Sequence, residues 1–203
     1  MAENDPRQVI IDYICRPRGP IIEERSMPVP PGKQGNAWRA ITRAPGGMGA
    51  RVSTIQFLQQ RSISDRQLHL VEFEDEEGRL DSWLCSVLLE PDGHWRYSGG
   101  ANVSRAETMP KREHPWANLA GGWNVNLFWA GGRVLDNGLN VVRVRLVAED
   151  GTVLEDTVQD GIVMFISNET LSIPVRVELY DDSATLVGTG IFPRHLPKPP
   201  LEG

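Results

Sequence analysis

Four turn signals punctuate the C-terminal third of this chain: Asp136-Asn137-Gly138, Glu149-Asp150-Gly151, Gln159-Asp160-Gly161 and Tyr180-Asp181-Asp182. Between them the residues alternate, which restricts the region to short antiparallel strands. From Asn140 to Ala148, the side chains of Val142, Val144, Leu146 and Ala148 take one face and those of Val141, Arg143, Arg145 and Val147 the other. This is the period of a half-buried strand. Glu149 to Thr152 supplies residues that tolerate positive φ, and Val153, Glu155 and Thr157 begin the return arm of a hairpin. Pro174 opens another strand, with Val175, Val177 and Leu179 opposite Arg176, Glu178 and Tyr180. Proline at a first strand position removes no needed ladder donor. A last arm runs from Thr185 to Phe192, and Asn124 to Trp129 supplies the first strand. The pattern predicts an immunoglobulin-like antiparallel β-sandwich over 111–192. Arg143, Arg145 and Arg176, with Glu149 and Glu178 near them, read as ion pairs on its polar faces.

The first half has a different core chemistry, since Trp38, Trp83, Trp95, Trp116, Trp123 and Trp129 all precede residue 130. A polar, proline-containing stretch, Arg105 to Asn118, separates the halves and puts a boundary at Pro110 to Pro115. The expected organisation is a β-rich N-terminal domain over 1–110, the sandwich over 111–192 and a proline-rich exposed tail over 193–203. Within the first domain Gln67–Phe73, Leu80–Leu89 and a strand through Trp95 and Tyr97 form a meander, its first turn made by Glu74 to Gly78. Val9 to Cys15 reads as a strand ended by Pro17, and Met27 to Gly32 as extended loop. Val52, Ile55, Leu58 and Phe57 fit a short helix near 52–60 and equally a strand. The fold class is mainly β.

At 203 residues the chain can bury a core without disulfides or metals. Its formal charge is −6, from 21 basic and 27 acidic residues, and no basic patch is dense enough to neutralise many phosphates. Nucleic acid is therefore not an expected partner. Met1 to Gln8 is polar and acidic, unlike a secretory signal, and Ile162 to Ile166 is too short an apolar run to span a bilayer. No membrane partner is expected. Cys15 and Cys85 lie far apart, outside any CxxC pattern, and suit two free thiols in the cytoplasm.

Candidates for chemistry are few. His69, His94, His114 and His195 do not fall at metal-ligand spacings, so neither a metal nor a cofactor is expected. His69 shares a strand face with Val71 and Phe73, which marks a core histidine before a general base, while Glu72 and Glu74 take the opposite face. His94 beside Asp92 is the other acid–base candidate. The acidic run Glu72 to Glu77 reads as a solvated hairpin turn, and the glycine-rich segment Arg43 to Arg51 as a surface turn first and an anion cradle second, with Arg43 and Arg51 as its clamp. Trp95 and Tyr97 on one strand face, and Trp116, Trp123 and Trp129 near the junction, could stack on a ligand or anchor a peptide.

The leading expectation is a non-catalytic binding protein that offers a sheet edge or the aromatic seam, with Trp95, Tyr97, Trp116, Trp123, Arg43 and Arg51, to a peptide or protein partner. Two rivals stand beside it. One is a small pathway enzyme doing metal-free proton transfer or cyclisation with His69, or with His94 and Asp92; the other is an oligomeric structural component, a homodimer being the simplest form.

Overall fold

A computed structural model describes residues 5–27, 38–43, 46–124, 126–169 and 171–193. The extended-loop expectation at 28–32 and all of the expected tail after Pro193 lie outside these residues. Among the described residues a helix, α1 (Pro6–Ile14), is followed by β1 (Ile21–Met27), β2 (Trp38–Arg43), β3 (Gln56–Ile63), β4 (Arg66–Glu74), β5 (Leu80–Leu89) and β6 (Trp95–Asn102). Then come β7 (Trp116–Asn124), β8 (Leu127–Leu135), β9 (Val141–Val147), β10 (Val153–Thr157), β11 (Ile162–Ser167), β12 (Val175–Asp181) and β13 (Leu186–Phe192). The fold is mainly β, with three antiparallel sheets and a two-stranded β1–β2 ribbon.

The strand order is β3-β4-β5-β6 in the first sheet, β11-β8-β7 in the second and β10-β9-β12-β13 in the third. The second and third sheets face each other over a core that includes Phe128, Val163, Phe165, Val144, Leu146, Val177 and Leu179. The first sheet packs on the outer side of the second, where Leu68, Leu70 and Leu84 meet Leu127, Trp129, Ile162 and Met164. Helix α1 covers the remaining face of the first sheet with Ile10 and Ile14 against Val71, Phe73, Cys85 and Val87. The order of layers is therefore helix, sheet, sheet, sheet. The middle sheet is apolar on both sides, which is why Leu127–Ala130 and Ile162–Phe165 are buried without alternation.

Charged groups tie the layers at their margins. Arg133 of β8 pairs with Glu72 of β4 at 2.5 Å, both largely shielded from water. Asp156 of β10 accepts from the Met164 backbone of β11 at 2.8 Å and pairs with Arg61 of β3 at 2.9 Å, so one carboxylate joins all three sheets.

Several expectations need correction. Val9–Cys15 is not a strand but most of α1, because Asp5 caps the helix by accepting from Arg7 N–H, Pro6 occupies the first turn, and Ile10 and Ile14 fall one helical turn apart. The 52–60 segment holds only a single 3₁₀ turn, Val52–Thr54, before β3, so its strand reading stands. The first sandwich strand is Trp116–Asn124 rather than Asn124–Trp129; its glycines and asparagines had hidden it. The stretch 103–115 carries no strand, and the regions on either side of it share the buried Leu70–Trp129 cluster.

Candidate functional site

A cavity lies on the helix side of the first sheet, away from the 110–115 junction. It is an open cleft of about 640 Å³ lined by Tyr13 and Arg16 near the end of α1, by Arg18 and Met48, by Trp83 of β5, and by Tyr97, Gly99 and Gly100 of β6. A neighbouring depression of about 430 Å³ shares Tyr13, Arg16 and Tyr97 and adds Val9, Asp12, Trp95 and Arg96. The rings of Tyr13 and Tyr97 stack with centroids 3.7 Å apart and planes 10° from parallel, forming a ridge common to both.

Local sequence explains how this ridge is held. Ile10 and Ile14 seat α1 on the sheet and bring Tyr13 over β6. Beyond α1 the chain crosses the glycine-rich segment so closely that a Cβ on Gly46 or Gly47 would run into the backbone of Gly19 or Arg16. That segment caps the helix: Met48 and Ala50 N–H donate to the Ile14 carbonyl, Gly49 N–H to Arg16 and Gly47 N–H to Pro17. These four donors are thus committed to the protein's own carbonyls, which corrects the surface-turn reading and leaves the anion cradle without them. Arg51, one half of the expected clamp, pairs with Glu74 at 2.5 Å and donates to the Glu76 carbonyl. The side chain of Arg43 lies outside the described residues.

Arg18 is a latch. Its guanidinium donates to the Met48 carbonyl at 2.8 Å, to Asp75 at 2.9 Å and to Asp81 at 2.6 Å. Asp75 is 1 % exposed and also accepts from the Arg79 side chain and from the backbone of Glu77 and Arg79. Burial works to raise its pKa, but the donors from Arg79 and Glu77 outweigh it and hold the carboxyl below its ordinary value. This corrects the reading of the acidic run as merely a solvated turn: Glu77 is exposed, Asp75 is a buried hub, and Glu72 joins two sheets. Arg16 differs from Arg18. Its described contact is the Tyr13 ring, 5.9 Å from the guanidinium carbon, and among the described residues no carboxylate pairs with it.

The groups beneath the ridge are neutral near pH 7. The Tyr97 ring folds over Gly100, where any Cβ would strike its hydroxyl, and that hydroxyl is hydrogen-bonded to Cys85. Burial pushes the Cys85 thiol up to about 12, and burial together with the neighbouring Cys85 and Tyr13 raises Tyr97 as well. Trp83 is held by packing, since its buried indole N–H has no acceptor among the described residues.

The remaining sequence candidates are dispersed. His69 is fully buried, its Nε2 3.0 Å from Gln67 Oε1, its ring edge-on to Phe57, and its pKa lowered to about 4 by burial and then by the charge of Arg7. His94 and Asp92 sit in an exposed turn where the Asp92 carboxylate accepts from His94 N–H and pairs with Arg96. Trp95 lines the smaller depression. Trp116 is 4 % exposed, with the Arg112 guanidinium 4.0 Å from its ring centre, and Trp123 meets Phe192 edge-on beside the sandwich core. Trp116 and Trp123 are engaged in packing, as is Trp129 in the cluster between the first two sheets; a smaller depression of about 290 Å³ at the junction is lined by Arg112, Trp116 and Phe192. Tyr97 and Trp95 were visible from strand alternation, whereas Tyr13, Arg16 and Trp83 were missed because the helix that assembles them was misread.

Compared with protein-family models, with curated proteins and with solved structures, the chain shows no match. Among the described residues no helix is long and apolar enough to cross a membrane.

Proposed function

We propose that this protein is a non-catalytic binding protein that receives a peptide segment of its partner in the aromatic cleft between α1 and β6. The observation that carries the reading is the Tyr13–Tyr97 ridge with Trp83 on one side and Trp95 on the other. Preformed aromatic surface beside a cation is the usual composition of a recognition site. Cys85 and Tyr97 are shifted toward their uncharged forms and His69 is sealed off beneath the helix, which favours binding over proton transfer. We take the C-terminal sandwich as immunoglobulin-like scaffold. Its first, second and fifth strands share one sheet and its fourth, third, sixth and seventh the other, which differs from the constant-type arrangement only in the sheet its fourth strand joins.

Selection from a displayed library of random peptides tests the reading. Selected peptides should lose about tenfold or more in affinity on Tyr97→Ala or Trp95→Ala, and change little on Trp116→Ala. Peptides indifferent to both cleft substitutions, in variants that remain folded, would refute it.

A further inference from the structure

We infer that the cleft recognises an aromatic group carrying a carboxylate, such as the C-terminal aromatic residue of a peptide. The inference rests on the cleft being the binding site and names the chemistry it selects. Two cations line the cleft, and their surroundings differ. Arg18 is neutralised by Asp75 and Asp81, whereas Arg16 has no carboxylate partner among the described residues, lies on the surface and borders both depressions. An arginine beside apolar rings supplies a two-pronged donor for a carboxylate, stronger than it would be in open water. Among the described residues no carboxylate lines the larger cleft, Asp12 bordering only the smaller depression, and the phenol and the thiol below are held in their neutral forms, so these groups add no negative charge against an anion.

The rest of the lining suits a flat apolar group. Tyr13, Trp83 and Tyr97 offer ring surfaces, and Gly99 and Gly100 leave one wall without side chains. A volume of about 640 Å³ accommodates an aromatic residue together with neighbouring backbone. Arg16 is exposed and outside the core, so its replacement tests recognition without testing folding.

Calorimetric titration of the full chain decides the matter with four probes: N-acetylphenylalanine, its amide, the pentapeptide Gly-Ser-Gly-Ser-Phe as free acid, and the same pentapeptide amidated. Each acid should bind saturably and about tenfold or more tighter than its amide. Arg16→Gln should erase that preference at an unchanged melting temperature, and Arg16→Lys should restore part of it. A pentapeptide acid tighter than N-acetylphenylalanine identifies a chain terminus as the source, and equal affinities identify a free aromatic acid. Acids and amides of equal affinity, or no saturable binding, would overturn the inference. Library peptides that depend on Tyr97 but not on a free carboxylate would overturn it while leaving the peptide-binding reading intact.

Discussion

Burial without charge compensation is the recurring condition at single residues on the helix side of the first sheet. His69 is the clearest case, because its ring is fully buried and, among the described residues, Gln67 is the polar side chain bonded to it. Unfolded, the imidazole takes a proton near its ordinary 6.5; folded, it does so only near 4. Between those values the unfolded chain binds more protons, so stability falls as the pH is lowered through this window, by about 3 kcal/mol in all. Asp75 acts lower down: its depressed pKa gives stability above the ordinary carboxylate value, lost only as the pH falls further. Urea midpoints measured from pH 7 to 4.5 should therefore fall in the native protein and fall less in His69→Leu. Equal slopes would show that another group dominates. Strand alternation placed His69, Val71 and Phe73 correctly on one face, since that relation is local. Asp75 was not legible in the same way, because Arg18, which helps make it a buried hub, lies 57 residues away.

At the scale of elements, the margins of the sheets are closed by a few long-range polar contacts. Asp156 is one of them, bonding β10 to the β11 backbone and to Arg61 of β3. Its loss leaves the Met164 amide without that acceptor and Arg61 without its charge partner. Asp156→Ala should cost about 2–3 kcal/mol in urea unfolding and speed hydrogen exchange at the Met164 amide. A cost below about 0.5 kcal/mol would reduce the contact to an ordinary surface pair. The polar sandwich face conforms to its sequence reading in part. Arg145 meets Glu155 directly across the strands at 3.2 Å, Arg143 reaches the same Glu155 at 3.8 Å while lying over the Tyr180 ring, and Arg176 pairs with Glu178 of its own strand at 2.8 Å. The helix was one element that local pattern misjudged. Its β-branched run, Val9-Ile10-Ile11, favours strand, and only the Asp5-Pro6 start with apolar residues three and four apart pointed the other way.

The described residues form a stack of four layers in which the regions before and after 103–115 bury a common apolar cluster. Leu84 is central to that cluster, fully buried on the first sheet and close to Gly131 of β8. Thermal unfolding should accordingly show one cooperative transition, with Leu84→Ala lowering its stability by about 2–5 kcal/mol. Two separated transitions, only one of them sensitive to Leu84→Ala, would mean that the regions unfold independently. Alternation and turn residues by themselves determined that the chain is mainly β, where the meander runs and where the strands at 141–147, 175–181 and 186–192 lie, because those signals act over two to five neighbouring residues. Only the tertiary structure decided that Val9–Ile14 is helical, that the glycine-rich segment caps that helix, and that Tyr13, Arg16, Trp83 and Tyr97 converge on one cleft. Convergence of that kind depends on apolar faces packing across more than eighty residues of chain, a distance at which no periodicity in the sequence carries information.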